Sequence, residues 1–494
     1  MKKTAVKSLS LLIALVMLLT SFGAVSLTAN AAVKEKLIKG VWYEYRIKDG
    51  KAIVTNAFVS GNSAGKTITI PSKLGGKKVV AIESMSMETK NTKTTALVFP
   101  DSIERIGTLN PTSNYMPFSI TNLTTVKLGK NVKVMKYNPF CSSVKKFVVN
   151  SKNKYFKTSN GILYNKKETK LVAYPARKSG KTFTVPKKVK TIGIGAFSNT
   201  ENLLTVKTNK TSTVSTSAFM YSSVKTVILG SAVKTASGDA FCEGISISEI
   251  KVAKSNRYFT VKDGVLFNKK KTKIVAYPYA KKGKSYTIPS TVKVVGNSAF
   301  YIGNLNKITV LDSVTVIQDF AFGYSFANVN LPSNVTKVGD YAYAATTLKK
   351  AVFNSSELTL GAGAFASCDM LTTVDLSKTK VKALPDFVFS GTTALETVSF
   401  PETLEVIGEA AFNESGVKSL ELPASVKTVK SFALWEENLK TLVVNGKETA
   451  FDEDAIMPTD SNYSEDLNTI VIKGLDGSKA QAYAAKFGFT FEVL

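Results

Sequence analysis

The chain has 494 residues, a formal net charge of +28 at pH 7, three cysteines and no histidine. The absence of histidine removes the commonest general base and the commonest transition-metal ligand, so a Ser-His-Asp triad and a Cys-His pair are both excluded. An odd number of cysteines excludes a complete disulfide framework.

The amino terminus has the pattern of an export signal. Three lysines precede an apolar run over residues 9–19, and residues 29–31 (Ala-Asn-Ala) are the small residues that a signal peptidase recognises. We therefore predict a signal peptide over residues 1–31 and a mature protein that is extracellular or on the cell surface. No later stretch reaches the roughly 20 apolar residues of a transmembrane helix, so no transmembrane segment is expected in the mature chain.

Residues 32–100 have a rhythm of short strands but lack the motif that marks the rest of the chain. Asp49-Gly50 is a strong hairpin dipeptide between two strand-like runs, and Gly75-Gly76 marks a second turn. We predict an N-terminal β cap, because a repeat protein needs a terminal unit that closes its core to water.

Residues 101–450 repeat one pattern, which appears twice over residues 287–330: an apolar strand, a Val-x-x-Val pair and then Ala-Phe, with Phe300 and Phe322 as the aromatic anchors. The anchors are mostly 20 to 24 residues apart, a period that predicts a solenoid of roughly a dozen stacked coils. One coil alone cannot bury its apolar side chains, so neighbouring coils complete the core. The other predicted anchors are Phe118, Phe140, Phe197, Phe219, Phe241, Tyr343, Phe365, Phe389, Phe412 and Phe432.

Two insertions interrupt this period, at residues 151–180 and 254–283. Residues 155–175 read YFKTSNGILYNKKETKLVAYP and residues 258–278 read YFTVKDGVLFNKKKTKIVAYP, an offset of 103 throughout. Each predicts a hairpin around a lysine-rich turn. The two tips are the leading candidate ligand contacts, although ordinary solvated turns also explain them. The candidate lysines at or beside the tips are Lys166, Lys167, Lys170, Lys269, Lys270, Lys271 and Lys273.

The strand face supplies further candidates, because solenoids usually bind along an exposed sheet. In the L-x-x-V-x-L frame of each coil, the residue between two inward-facing residues points outward. The occupants of this position change from basic to acidic along the chain, and Lys127, Lys207 and Lys251 are the candidate ligand-binding residues among them. Simple solvation of a strand lysine is the competing interpretation.

Charge is distributed unevenly along the mature chain. Residues 33–310 contain 48 Lys and Arg against 13 Asp and Glu, whereas residues 311–494 contain 14 against 24. Such asymmetry suggests contact with a polyanion through the basic part. Lysines that only solvate a long solenoid and prevent its aggregation would give the same counts.

Residues 451–494 predict a C-terminal capping repeat that contains an acidic cluster. This cluster, over residues 452–466, lacks the D-x-D-x-D-G spacing of a calcium loop, so we predict a variable acidic loop and no metal site. Because the chain also lacks histidine, we predict no cofactor and no enzymatic activity. Cys141, Cys242 and Cys368 are expected to be free buried thiols. Cys141 and Cys242 are about four repeats apart, and at about 5 Å for each coil their Cα atoms lie beyond the distance that a disulfide can span.

The repeated unit V-x-L-P-x-x-V-x-x-I/V-G-x-x-A-F-x-x-x-x-x-L resembles the BspA-type leucine-rich repeat of bacterial surface proteins. It is clearest in VSFPETLEVIGEAAFNESGVKSLELP and in FTVPKKVKTIGIGAFSNTENLLTV. The N-x-Y-F, G-I/V-L-Y/F-N-K-K and V-A-Y-P insert is similar to one that this family carries, and the residues from Gly474 are similar to its last coil, a short amphipathic helix. The resemblance implies a β-rich leucine-rich-repeat solenoid of right-handed stacked coils and short parallel strands, with N- and C-terminal caps.

The resemblance also implies a non-catalytic binding role, because members of this family are surface or secreted proteins linked to adhesion to host matrix glycoproteins and to other cells. We therefore predict adhesion to host matrix or glycan, or to other cells, through a basic solenoid face. The expected partner is a protein or an anionic glycan or wall polymer, and specific binding of nucleic acid is not expected. The alternative is a structural scaffold held on the bacterium's own anionic envelope that recruits a protein partner.

Overall fold

The computed structural model describes residues 33–59, 64–87, 93–108, 118–120, 122–140, 143–241, 243–435, 438–456 and 470–494. The chain divides into two compact units, Met1–Val224 and Lys225–Leu494. The predicted signal peptide, Cys141 and Cys242 lie outside the described residues. Within the described ranges, no helix has the length and apolar character that crossing a membrane requires.

The first unit begins with an antiparallel hairpin that leads directly into parallel pairing. Asp49 and Gly50 have φ of 50° and 68°, the backbone of a type I′ turn, and Lys48 pairs with Lys51 across it. The third strand then pairs in parallel with the sixth and seventh strands. The strands of this region are β1 Lys34–Ile38, β2 Val41–Lys48, β3 Lys51–Val59, β4 Thr67–Thr69, β5 Lys73–Leu74, β6 Lys77–Ile82 and β7 Met85–Met87.

Short strands form the rest of the first unit. In the strand at residues 125–128, Val126 and Leu128 are buried and Lys127 between them is exposed, which is the period of two of a strand with one buried face. The strands are β8 Ala96–Phe99, β9 Arg105–Ile106, β10 Phe118–Ser119, β11 Thr125–Leu128, β12 Lys146–Val149, β13 Phe156–Ser159, β14 Ile162–Asn165, β15 Lys170–Ala173, β16 Thr182–Thr184, β17 Thr191–Ile192, β18 Thr205–Lys207 and β19 Thr213–Val214.

The second unit begins with the same kinds of strand. A 3₁₀ helix over Gly238–Ala240 and one insert interrupt its first coils. Its first strands are β20 Thr226–Leu229, β21 Glu249–Val252, β22 Phe259–Lys262, β23 Val265–Asn268, β24 Lys273–Ala276, β25 Ser285–Thr287, β26 Val294–Val295, β27 Lys307–Thr309, β28 Val316–Ile317, β29 Asn328–Val329, β30 Lys337–Val338, β31 Lys350–Val352 and β32 Thr359–Leu360.

Parallel ladders continue through the later coils of this unit. One set of strands runs β25-β27-β29, β31-β33-β35 and β37-β39-β41-β42, and the other runs β24-β26-β28-β30-β32 and β34-β36-β38-β40. The predicted solenoid of stacked coils with short parallel strands is confirmed. The remaining strands are β33 Thr373–Asp375, β34 Ala383–Leu384, β35 Thr397–Ser399, β36 Val406–Ile407, β37 Ser419–Leu422, β38 Thr428–Val429, β39 Thr441–Val444, β40 Ala450–Phe451, β41 Val471–Gly474 and β42 Thr490–Val493.

Stacked aromatic rings form the centre of the second unit. Successive anchor rings lie 5.2 to 5.8 Å apart between centroids, close to the spacing of paired strands. Because each ring packs on the ring of the next coil, no coil has a complete core without its neighbours. The predicted anchors are confirmed as buried at Phe300, Phe322, Tyr343, Phe365, Phe389 and Phe412.

The predicted anchor at Phe432 is wrong. Phe432 is 39% exposed, whereas Leu434 is 1% exposed and bridges Ile456 of the next coil. Phe412 N–H donates to Ala433 O, so Leu434 follows in the place that Phe412 has in the preceding coil. The motif was misleading because an inward leucine replaces the anchor in this coil while an aromatic residue occupies a different, outward position.

A short helix, α1 Lys479–Phe487, closes the carboxyl end of the second unit. The Ser478 hydroxyl accepts the Gln481 N–H at its N-cap, and Gly488 ends it with φ of 77°. Ala480, Tyr483 and Ala484 are buried. The predicted amphipathic helix is confirmed, and it covers the last apolar surface of this unit.

Replacing the buried Leu434 and the exposed Phe432 of this coil by alanine tests the register. Leu434→Ala is expected to lower the free energy of unfolding by about 2–5 kcal/mol, because it removes a buried side chain and leaves a cavity. Phe432→Ala is expected to lower it by less than about 1 kcal/mol, because this ring is an outward-facing surface residue. Denaturant titration of both variants measures the difference, and a larger loss for Phe432→Ala would contradict the assignment.

Candidate functional site

The two inserts have the same strand arrangement. In the first, β13, β14 and β15 form an antiparallel meander, and β15 then pairs in parallel with β17. In the second, β22, β23 and β24 repeat the meander, and β24 pairs in parallel with β26. Each insert therefore supplies the first strand of a ladder that the following coils extend, so it is part of the solenoid wall.

A buried asparagine holds the start of each insert. Asn153 Nδ2 donates to the carbonyl oxygens of Gly129 at 2.8 Å and Val132 at 3.0 Å. Its Oδ1 accepts the backbone N–H groups of Tyr155 and Phe156, each at 2.8 Å. All four hydrogen-bonding positions of the carboxamide are thus occupied, which fixes the insert against the preceding coil. Asn256 makes the same four bonds in the second insert, with Gly230, Val233, Tyr258 and Phe259.

An exposed tyrosine lies beside a lysine at the same place in both inserts. Lys166 N–H donates to Tyr155 O and Lys269 N–H donates to Tyr258 O, each at 2.7 Å. Tyr155 is 48% exposed and Tyr258 is 49% exposed. Each lysine ammonium also donates to the carbonyl oxygen of the clamping asparagine, at 2.5 Å in the first insert and 2.8 Å in the second. Each insert therefore pairs, through the backbone, an accessible tyrosine with an exposed lysine.

Sequence reasoning selected the lysines of this pair and missed the tyrosines. The N-x-Y-F motif, present 103 residues apart, contains the information that would have found them. Lys154 and Arg257, which directly precede the two tyrosines, are also exposed. Each exposed tyrosine therefore also has a basic residue directly before it in the chain.

The tips of the two inserts differ in charge. Glu168 and Lys271 occupy the same left-handed position of the turn, with φ of 56° and 58°. The Glu168 carboxylate forms ion pairs with Lys157 at 3.2 Å and Lys188 at 3.7 Å, which partly neutralise the first tip. The second tip has a lysine in place of this glutamate and is therefore the more basic. The predicted contacts exposed at the tips are Lys167, Lys270 and Lys271.

Lys170 and Lys273 are set apart from the exposed tip lysines. Both begin the third strand of their insert and are half-buried, and burial lowers the pKa of both ammonium groups. A side chain added at Gly296 would meet Lys273 Cε at 2.8 Å, so the lysine stem lies against the next coil. Lys273 Nζ donates to Gln318 Oε1 at 2.8 Å. A side chain added at Gly193 would likewise meet Lys170 Cε at 3.0 Å, so both lysines help to join their insert to the solenoid.

The three strand-face candidates are exposed on their strands. In the first unit, Lys127 lies on β11 next to Val148, and Lys207 lies on β18 next to Thr184. In the second unit, Lys251 lies on β21, where its ammonium is 3.1 Å from the Glu249 carboxylate. The ion pair partly neutralises Lys251, and the structure does not bring Lys127 and Lys207 onto one sheet.

Two groups that could act chemically, the Cys368 thiol and the Glu453 carboxylate, are engaged within the fold, and residues 457–466 of the acidic cluster lie outside the described residues. Cys368 Sγ donates to Tyr343 O at 3.1 Å, and burial raises the pKa of this thiol to about 11, so it stays protonated and unreactive at neutral pH. In the acidic cluster, Glu453 pairs with Lys486 at 2.6 Å. Among the described residues, no group of three or more carboxylate or thiol side chains is arranged to hold a metal ion.

Comparison with known proteins identifies the repeat. Residues 173–276, 264–372 and 358–470, together 298 of the 494 residues, match the family model described as "BspA type Leucine rich repeat region (6 copies)". No curated protein matches the sequence.

Three solved structures are similar to the chain at low identity. The pneumococcal vaccine antigen PcpA is 16% identical with a TM-score of 0.42, and the match covers 94% of this chain and 100% of that one. A leucine rich cell surface protein from Faecalibacterium prausnitzii is 19% identical with a TM-score of 0.40, covering 76% and 96%. A leucine-rich repeat protein from Bacteroides ovatus is 14% identical with a TM-score of 0.38, covering 93% and 99%.

Removing the clamp of the second insert tests its role in presenting Tyr258. Asn256→Ala is expected to lower the free energy of unfolding by at least about 2 kcal/mol, because it leaves buried backbone groups without partners. Amide hydrogen exchange at Tyr258 and Phe259 should accelerate, because both lose their acceptor. The exposed Asn304 provides the control, and Asn304→Ala should change neither measurement. Unchanged exchange in Asn256→Ala would show that the clamp does not hold the insert.

Proposed function

We propose that this chain, which belongs to the BspA-type leucine-rich repeat family, is an extracellular or cell-surface protein that adheres, without catalysis, to host matrix, to glycan or to other cells. Its ligand is an anionic glycan, held at the two inserts by the exposed tyrosine and the lysines beside it. Sulfated and sialylated polysaccharides combine negative charge with sugar rings whose C–H faces can stack on an aromatic side chain.

The observation that carries this proposal is the duplicated presentation of the Tyr-Lys pair. Tyr155 and Tyr258 are held by the same four-bond clamp, and each has a lysine at its side. Folding does not require an exposed tyrosine, because the apolar face of each insert is already buried beneath it. A rigid support lowers the entropy lost when a ligand binds, so a clamped exposed ring is suited to recognition.

Charge supports an anionic ligand for both inserts. Residues 33–310, which include both of them, contain 48 basic residues against 13 acidic ones. At the second tip, Lys270 and Lys271 are exposed and no carboxylate occupies the place that Glu168 has in the first. The second insert should therefore contribute more of the salt-dependent affinity than the first.

Charge reversal at the second tip tests the proposal directly. The double variant Lys270→Glu, Lys271→Glu is expected to weaken binding of the full chain to immobilised heparin by at least about tenfold at low salt, because two attractive charges become repulsive. Tyr258→Ala should also weaken binding but leave its salt dependence unchanged, because the ring carries no charge. Surface plasmon resonance over a series of salt concentrations separates the two effects.

The matched control changes net charge equally at a distant loop of the same unit. Lys378→Glu, Lys380→Glu alters two exposed lysines and should leave heparin binding within about twofold, since exposed charges beyond a Debye length are largely screened. Equal losses in both double variants would overturn the insert as the contact. Binding to purified wall polymer but not to heparin would favour the scaffold on the bacterium's own envelope.

A further inference from the structure

One outward position of the coil has a left-handed backbone in seven coils of the second unit. It is the residue directly before the buried Ala-Phe pair or its equivalent, and its φ lies between 49° and 60° in each of these coils. Small residues occupy it at Ser298, Gly363 and Ala410, and aromatic residues occupy it at Phe320, Tyr341, Phe387 and Phe432. The same backbone therefore accepts either class of side chain.

The coil itself does not need the aromatic residues at this position. A bulky residue with positive φ is unusual because its Cβ crowds the backbone, and Gly363 and Ala410 show that small residues complete the coil. The rings do not belong to the core either, since Tyr341 and Phe387 are only half-buried and Phe432 is exposed. A strained, outward aromatic residue that the fold can replace with glycine indicates a role in binding.

These positions lie one above another along the edge of the unit. Tyr341 N–H donates to Ala362 O at 2.9 Å, and Gly363 N–H donates to Asp386 O at 2.9 Å. Phe387 N–H then donates to Glu409 O, and Ala410 N–H to Ser431 O, so each bond leads from one coil to the next. From Tyr341 to Phe432 the order is thus aromatic, small, aromatic, small, aromatic. We call Tyr341, Phe387 and Phe432 the aromatic edge.

The period of the aromatic edge is two coils. At about 4.8 Å for each coil, its rings recur every 9.6 Å or so. The Tyr341 ring is supported on one side by Phe320, with stacked centroids 5.2 Å apart. On the other side it lies over Gly363, where an added Cβ would meet its Cε1. In the coils between the rings, the same position holds a small residue, Gly363 or Ala410.

A polyproline II helix has nearly the same period. With three residues per turn and a rise of 3.1 Å, its turn advances about 9.3 Å, so prolines on one face would meet successive rings. Across the two intervals from Tyr341 to Phe432 the mismatch accumulates to only about 0.6 Å. Proline-rich segments dock on aromatic surfaces with little loss of entropy, because this helix is already formed in the free peptide.

Carboxylates along the aromatic edge favour a basic segment. Asp340 and Glu409 stand directly before Tyr341 and Ala410, and Asp386 stands before Phe387. Asp340 Oδ1 accepts the Ala362 N–H at 2.9 Å, which holds the carboxylate at the edge. Lys430 lies 3.3 Å from the Asp386 carboxylate and offsets one negative charge. The net charge of these side chains is still negative, whereas the insert tips carry exposed lysines.

We propose that the aromatic edge binds a proline-rich segment of a partner protein that carries lysine or arginine and adopts the polyproline II conformation. This site consists of residues outside the inserts and goes beyond the proposed function, on which it does not depend.

Fluorescence anisotropy of the full chain with a labelled peptide of five Pro-Pro-Lys repeats tests the proposal. The peptide is expected to bind more tightly than five Gly-Ser-Lys repeats, which have the same length and charge but no polyproline II structure. Phe387→Ala should weaken binding by about tenfold, as expected for a central aromatic contact. Phe326→Ala removes an exposed ring outside the aromatic edge and should change the affinity less than twofold.

A variant that adds a ring distinguishes recognition of the ring spacing from nonspecific binding to apolar surface. Ala410→Phe places a ring on a left-handed backbone that carries phenylalanine at Phe387 and Phe432, and thermal unfolding measures whether the variant folds. It should weaken peptide binding because it fills an interval between rings. Stronger binding by Ala410→Phe, equal binding of the two peptides, or binding of a neutral oligosaccharide instead of the proline peptide would each overturn the proposal.

Discussion

Each coil depends on its neighbours both for backbone hydrogen bonds and for a closed core. The strands contain two to four residues over most of the chain, too few to be stable alone, and their N–H and C=O groups are paired only when another coil lies alongside. The same stacking brings the anchor rings to within 5.2 to 5.8 Å of each other in the second unit. Pairing and burial are therefore satisfied together or not at all, which is the source of stability in repeat proteins.

This dependence constrains the inward positions and leaves the outward ones free. Coils in the same unit serve as internal controls, because they place different residues on the same backbone. Gly363 and Ala410 stand where Tyr341 and Phe387 stand in adjacent coils, so the two rings are not a requirement of folding. The repeated insert gives the converse lesson. Lys170 and Lys273 are half-buried at equivalent positions, each with its stem against a glycine of the next coil.

The acidic character of the later coils has a structural component. Carboxylate side chains of Asp340, Asp386 and Asp452 accept backbone N–H groups of neighbouring coils, which satisfies donors at the edge where the ladder is irregular. Among the insert lysines, Lys166 and Lys269 also bond to the fold, at the carbonyl oxygens of Asn153 and Asn256. Lys167, Lys270 and Lys271 face solvent at the tips. Counting charges along the sequence therefore combines two populations, one that holds coils together and one that faces solvent.

The sequence by itself determined the solenoid, the short strands and most of the aromatic anchors, because a period near 22 residues and alternating burial within each strand are written locally. Only the tertiary structure decided that Leu434 and not Phe432 is the inward residue of its coil. It also decided that Asn153 and Asn256 clamp the inserts and that Tyr155 and Tyr258 are exposed. It also separated the half-buried Lys273 from the exposed Lys270. The physical reason is that whether a ring or an ammonium group is covered depends on the side chain of the next coil, about one repeat away along the chain, which no local pattern specifies.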